Sequence, residues 1–512
     1  MRSGRGSRRP GPPSPRRAAR AICTIRASIR CSATRRARPP IRPPTSATPR
    51  ATAASIASPA TRSVRLWRRR PWRACRRVRA PRSSGRTAPR PGPRRRIPTS
   101  YSGAQPMTVR VGERAYPCTT AACADRIAGM WWLGPGELLF LRDWGTDRLG
   151  AVELFRWRPG TAPVSILRTT DVLIDCQLGM GALYCARESA ERPRYLERLS
   201  LRDGSGTTVF DPNPAFRAVQ LGAVRRLAVR AADGAPTFAD LVLPPGHRPG
   251  ERHPMIVVQY QSRGFLRGGV GDEYPVHLFA ANGYAVLSYQ RPMAFADGYK
   301  ARDLNEFQRI NTSGFADRRR VFTALEAAVD GAIATGTVDA DRLGITGLSE
   351  GASSAIWAIL ATPRYRAAAI SSCCEDPYPS FYSNGPAYAR DMKRWGYPLP
   401  DEDRDGFWRT FSLALGADRV AAPLLLQMSD QEFRFALQAV GSLKDAGKPV
   451  ELYVFPNEFH NKWQPEHRAA IYARAIDWFD FWLRGRVDPA PGKAPQYARW
   501  QAMRSAVPPR SD

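Results

Sequence analysis

Leu343-Gly-Ile-Thr-Gly-Leu-Ser-Glu-Gly-Ala352 is the stretch on which the fold of this 512-residue chain turns. Leu343-Gly-Ile-Thr346 reads as a short buried strand, and the apolar segment Ala352 to Ala361 reads as a helix. Between them, Gly347-Leu-Ser-Glu-Gly351 fits Gly-x-Ser-x-Gly. That pattern alone says little, since chance supplies it to about one chain of this length in six at ordinary glycine and serine usage. Its position is the specific signal. Flanking glycines between a strand and a helix permit a turn sharp enough to project Ser349 at the carboxyl edge of a sheet, as a nucleophile requires. The alternative is a serine that only caps the helix.

Working outward, apolar runs alternate with helix-length segments, the pattern of a sheet with crossover helices. Strands are expected at Leu241–Leu243, Met255–Tyr260, Ala285–Tyr289, Leu343–Thr346, Ala367–Ile370, Pro423–Gln427 and Glu451–Phe455. Helices are expected at Val276–Asn282, Asp317–Thr335, Ala352–Ala361, Glu432–Asp445 and Glu466–Leu483. This order implies a doubly wound α/β domain over residues 235–486, followed by a C-terminal tail, 487–512.

A serine hydroxyl needs a base, and the chain has five histidines: His247, His253, His277, His460 and His467. In the α/β-hydrolase order of serine, acid, histidine, only the last two qualify. His460 follows the strand Glu451–Phe455 in the loop Pro456-Asn-Glu-Phe-His460, whereas His467 falls within a helix, so His460 is the expected base. Asp430, at the end of Leu424-Leu-Leu-Gln-Met-Ser-Asp430, is the expected orienting acid, with Glu432 its close competitor.

Residues 104–234 have a different texture, short β-like runs between Gly, Pro and Asp turns: Glu137–Arg142, Ala151–Arg156 and Ala182–Cys185. Trp131-Trp-Leu-Gly-Pro-Gly-Glu-Leu-Leu-Phe140 looks like the tryptophan, turn and strand of a β-propeller blade. Room for about three blades of about 40 residues makes this a partial, truncated propeller. Cys118 with Cys123, and Cys176 with Cys185, are close enough for local disulfides and equally compatible with buried thiols. Cys373 and Cys374 are adjacent.

The formal charge of +33 is misleading, because residues 1–100 hold 29 Arg and no Lys, Asp or Glu, which leaves +4 for the rest. That distribution argues against a nucleic-acid-binding domain. With 16 prolines and few large apolar residues, the first hundred residues are expected to be disordered. Residues 1–103 admit three readings: a basic arm, a transit-like segment, or sequence outside the genuine coding frame; the last is preferred because acids first appear at Glu113. No stretch approaches the ~18 apolar residues of a membrane span, and no signal peptide is visible. The expectation is a soluble protein, cytoplasmic or periplasmic, with no cofactor and no metal; its oligomeric state is open.

From about Gln220 to Gly485 the chain resembles the prolyl oligopeptidase family of serine peptidases, which join a β-propeller to a C-terminal hydrolase domain. The resemblance rests on Leu243-Pro-Pro-Gly246, the strand ending in Val258-Gln-Tyr260, Ala280-Ala-Asn-Gly-Tyr-Ala-Val-Leu287, the serine elbow, and Phe455-Pro-Asn-Glu-Phe-His460 followed by Asp477-Trp-Phe479. It implies that Tyr260 and the backbone N–H of Glu350 donate to the tetrahedral oxyanion; otherwise Tyr260 is a core tyrosine. The chain departs from the family at Gln261-Ser-Arg-Gly264, where Gly-Gly-Pro is usual, and around the acid, where Gln427-Met428 replaces His-Gly and Phe433-Arg434 replaces Val-Pro.

The departing segments Gln259-Tyr-Gln-Ser-Arg-Gly-Phe-Leu-Arg-Gly-Gly269, Gly271-Asp-Glu-Tyr-Pro275 and Ser371-Ser-Cys-Cys-Glu375 look like those of lasso-peptide isopeptidases. These enzymes cleave the bond between a peptide's N-terminal amine and an Asp or Glu side chain. The implied partner is a lasso peptide, with Arg263, Arg267 and Glu273 as candidates for gripping it, or else as solvated surface charges. A general oligopeptidase, a dipeptidyl or acylaminoacyl peptidase, and a carboxylesterase are the alternatives.

Overall fold

The computed structural model describes residues 107–124, 126–143, 149–266 and 270–506. The expected tail, 1–103, and Arg267 lie outside the described residues. The C-terminal half is built on an eight-stranded sheet. In spatial order its strands are Val224–Arg230, Pro236–Val242, Ala285–Gln290, His253–Tyr260, Val338–Leu348, Tyr365–Ser371, Leu424–Ser429 and Val450–Phe455. The first two join antiparallel, and the other six run parallel.

The near-continuous apolar character of the central strands follows from burial on both faces. Every residue from Leu343 to Leu348 is buried. The helices Ala316–Ile333, Glu350–Ala361 and Leu437–Asp445 cover one face, where Val321, Leu325, Ile356, Ile359 and Leu443 pack on Met255, Val257, Ile345 and Leu426. Pro465–Arg484 and the shorter Val276–Ala281 cover the other, where Trp478, Phe479 and Phe279 meet Val258, Val286 and Leu425. This is the doubly wound α/β arrangement expected from the alternation of strands and helices.

Several segments differ from expectation, among them the strand Val224–Arg230, which joins the hydrolase sheet although it lies within residues 104–234, read as propeller, and the helix Leu304–Thr312. The stretch beyond Arg486, expected as a tail, contains the helix Ala494–Ala506, whose Tyr497 and Trp500 are buried against Phe481 and Trp478. Its apolar residues are too sparse to register as a periodic face. Between Ser371 and Leu424 lie three short helices, Pro377–Tyr382, Pro386–Arg394 and Phe407–Phe411, around an aromatic cluster of Phe381, Trp357, Trp408 and Phe411.

Ahead of the hydrolase sheet stand two four-stranded antiparallel meanders. One comprises Ile127–Gly134, Glu137–Arg142, Val152–Trp157 and Val164–Thr169; the other comprises Val172–Gly179, Ala182–Ser189, Arg192–Ser200 and Gly206–Phe210. Each has the form of a propeller blade, and with the hairpin Thr108–Val111/Arg114–Pro117 they make the partial propeller. Leu139, Leu141 and Leu154 of the first blade pack on Leu173, Leu183 and Cys185 of the second. Disulfides join Cys118 to Cys123, Cys176 to Cys185 across adjacent strands, and Cys373 to Cys374.

Candidate active site

The turn after the strand Val338–Leu348 is closed so tightly that a Cβ on Gly347 would lie 2.1 Å from the carbonyl oxygen of Gly351. Only glycine fits there. The turn puts Ser349 at φ 59°, ψ −120°, a backbone conformation that side chains bearing a Cβ rarely adopt and that persists where the surrounding structure enforces it. Ser349 N donates to Ser371 O at 3.2 Å, and Ser353 N donates to Ser349 O at 3.1 Å. Ser349 therefore sits half-buried at the carboxyl end of its strand, at the amino end of the helix Glu350–Ala361. The first N–H groups of that helix have no partner within it.

His460 lies five residues beyond the strand Val450–Phe455, on the same carboxyl edge. Its Nδ1 is 2.7 Å from Oε1 of Glu432, not from Asp430. The expected acid is corrected accordingly. Asp430 instead receives Asn457 N at 2.7 Å and Glu458 N at 3.3 Å, which fixes the loop that carries His460. The physical reason lies in the turn: Glu432 N donates back to Ser429 O at 3.1 Å, so the chain folds over after the strand and brings the longer side chain, two residues on, to the imidazole. Hydrogen bonding and charge from Glu432 outweigh burial and raise the His460 pKa. Burial acts to raise the Glu432 carboxyl, but hydrogen bonds from His460 and Ser372, with the charges of His460 and Lys462, hold it below the ordinary value. His467 donates or accepts at Nδ1 with the buried Glu458, 2.8 Å away, as part of the wall of the loop.

Glu273 is also corrected. It is wholly buried and pairs with the equally buried Lys462 at 3.3 Å, so it cannot grip a substrate. Lys462 Nζ also bonds Ser371 Oγ and reaches Ser372 Oγ at 3.4 Å, while Ser372 Oγ donates to His460 O at 2.8 Å. This buried ion pair thus underlies both the strand end that holds Ser349 N and the loop that holds His460. A lone lysine in a loop offered no sequence signal for that role.

Tyr260 ends the strand His253–Tyr260, and its ring lies against the first turn of the elbow helix: a Cβ on Gly351 would be 3.2 Å from Tyr260 Cδ1. Burial, with the nearby Glu350 carboxylate, raises the phenol pKa and keeps it a proton donor. The Glu350 side chain is held by Arg318 at 2.7 Å and Arg291 at 3.0 Å. Arg318 also reaches Glu375 at 3.5 Å, and Ser353 Oγ donates to Glu375 at 2.7 Å.

A cavity of about 820 Å³ lies between the two blades and the loop after Tyr260, lined among others by Trp131, Asp143, Asp175, Arg194 and Arg263. Gly271, on its wall, lies close to Leu348 and Asn461, the neighbours of Ser349 and His460. Arg263 is exposed there and near enough to Asp143 to act on its charge. The arrangement supplies a strained serine, an imidazole–carboxylate pair, a phenol donor and helix N–H groups along one sheet edge, which is the equipment for acyl transfer.

Residues 316–486 match the model of the prolyl oligopeptidase family. The lasso peptide isopeptidase AtxE2 of Asticcacaulis excentricus is 39% identical over 414 residues, covering 80% of this chain and 59% of that protein. The chain thus spans less than two thirds of this relative's length. A solved structure of that isopeptidase, a variant with the peptide Astexin3-dC4 bound, matches with a TM-score of 0.76 at 38% identity over 80% of this chain and 63% of the other. Dipeptidyl-peptidase 5 of Porphyromonas gingivalis is 24% identical over 320 residues, 58% of this chain and 44% of the relative. The Pyrococcus horikoshii acylaminoacyl peptidase shares the fold at 20% identity, with a TM-score of 0.56 over 76% of this chain and 61% of its own.

Proposed function

The chain belongs to the prolyl oligopeptidase family, and from that membership we propose that it is a serine peptidase that hydrolyses the isopeptide bond of a lasso peptide. In this reading Ser349 Oγ attacks the side-chain carbonyl carbon of the peptide's ring-closing Asp or Glu while His460 Nε2 takes the hydroxyl proton. Glu432 receives the Nδ1–H and favours the imidazolium that forms. The oxyanion accepts hydrogen bonds from the Tyr260 hydroxyl and Glu350 N–H. Collapse breaks the C–N bond, and the imidazolium gives its proton to the departing N-terminal amine. Water, deprotonated by His460, then releases the carboxylate from Ser349.

The observation that carries the reading is the 2.7 Å His460–Glu432 pair beside the elbow of Ser349, in a chain 39% identical to a lasso peptide isopeptidase. Selectivity is assigned to the cavity between blades and hydrolase, because the catalytic groups themselves can attack any amide carbonyl placed about 3 Å from the serine. Arg263 is the candidate grip on the peptide from that wall. The test is mass spectrometry of a threaded lasso peptide incubated with the protein. The expected product is linear and heavier by one water, with every α-peptide bond intact. Internal cleavage, or release of N-terminal dipeptides with the ring untouched, would assign the chain instead to the broader oligopeptidase or dipeptidyl peptidase activities.

A further inference from the structure

We propose that His247, Glu251 and His253 form a binding site for one divalent transition-metal ion of the zinc class, at the amino edge of the hydrolase sheet. This site stands independently of the peptidase reading. It lies in the loop between the strands Pro236–Val242 and His253–Tyr260, with His253 opening the strand that Tyr260 closes. The two ends of that strand are about 23 Å apart at 3.3 Å per residue, so the site does not belong to the serine centre.

The three side chains are brought together by the loop itself. His247 N donates to Pro244 O at 3.1 Å, and Glu251 N donates to Arg248 O at 3.1 Å. Glu251 Oε2 accepts Arg248 N at 2.9 Å, which aims the carboxylate at the histidines. His247 Nδ1 and His253 Nε2 are 2.8 Å apart, and Glu251 Oε2 stands 3.8 Å from the first and 3.9 Å from the second. A tetrahedral ion with bonds of about 2.0–2.2 Å to such donors needs them about 3.4 Å apart, a spacing that the three distances bracket. Without an ion, the carboxylate faces two imidazole nitrogens beyond hydrogen-bond length and contributes little to holding them.

The donor set matches borderline metals, two imidazoles and one carboxylate with a fourth position left to water. Both rings are about 85% buried, with side-chain exposure of 16% and 15%, whereas Glu251 is 46% exposed, giving an ion a path from solvent. Arg484 and Arg342 add positive charge nearby, but each is paired, with Asp480 at 3.0 Å and Asp339 at 2.6 Å. Glu251 supplies the negative charge that the ion needs.

The test titrates Zn²⁺ and Co²⁺ into metal-stripped full-length protein carrying His460→Ala, which removes the more exposed His460–Glu432 pair. The expected result is one ion per chain, a tetrahedral cobalt spectrum without thiolate charge transfer, and a zinc-dependent rise in the thermal midpoint. Added His247→Ala or His253→Ala should each weaken binding more than about tenfold, the loss typical of even an outer-shell partner, and abolish the thermal shift. Glu251→Gln, at an exposed position where folding is not at risk, should weaken binding as well. Absence of saturable binding, affinity unchanged in these variants, or a thiolate band pointing to Cys23, Cys31 or Cys75 would overturn the site and leave a hydrogen-bonded imidazole pair.

Discussion

At the scale of single residues, the candidate site separates two acids that lie two positions apart. Glu432 bonds the imidazole, while Asp430 holds backbone N–H groups of the histidine loop. Glu432→Gln should therefore lower kcat about 10²–10⁴-fold, whereas Asp430→Asn, which keeps an acceptor for the loop, should cost far less. Equal losses would return Asp430 to the triad. Ser349→Ala and His460→Ala should each remove at least about a thousandfold of turnover while circular dichroism stays unchanged. The pH dependence follows from the raised His460 pKa. The ring acts as a base only when neutral, so kcat/KM should be full above that pKa and fall as pH drops through it, above the ordinary value of about 6.5. Removing the carboxylate in Glu432→Gln takes away what favours the imidazolium, and the acid limb should move to lower pH. An acid limb that stays in place would show that Glu432 does not act on His460.

Among elements, the strand-turn-helix at Ser349 was the most legible, because three constraints coincide there: an apolar strand, a glycine at 347 where no Cβ fits, and a helix-forming apolar run. The central strands were located for the same reason, their two buried faces leaving unbroken apolar runs, though Val338–Leu348 runs well beyond the expected Leu343–Thr346. The small helices between Ser371 and Leu424 were not, since segments of five to nine residues carry too few turns for a periodicity. Nor was the pair Glu273–Lys462, whose partners are separated by 189 residues and meet only because two loops converge under the strand ends. Lys462→Met leaves Glu273 buried and unpaired and should destabilise the domain by about 3–5 kcal/mol in denaturant unfolding. Adding Glu273→Leu should recover much of that loss; a double variant no more stable than the single one would show that the pair is not the cause.

For the molecule as a whole, the cavity of about 820 Å³ is lined both by the blades and by the loop after Tyr260, so in the proposed reading substrate choice rests on both. Arg263→Ala should raise KM for a lasso peptide severalfold with kcat little changed, and a change confined to kcat would remove it from the substrate's path. Residues 1–103, with their 29 arginines and no acid before Glu113, lack the apolar content of a packed element. Their deletion should leave turnover of the remaining protein intact, and loss of activity in soluble deleted protein would make them part of the working molecule. No helix among the described residues is long and apolar enough to cross a membrane.

What the sequence determined by itself was local in origin: the α/β alternation, the serine elbow, the histidine beyond the last strand, and the blade-like runs. Each depends on residues within one or two elements, where backbone sterics and burial act directly on neighbouring positions. What only the tertiary structure decided was which of two nearby acids turns toward His460, the burial of Glu273 on Lys462, and the convergence of His247, Glu251 and His253. Those outcomes rest on ångström-scale differences in side-chain reach and on turns whose closing hydrogen bonds no residue spacing encodes.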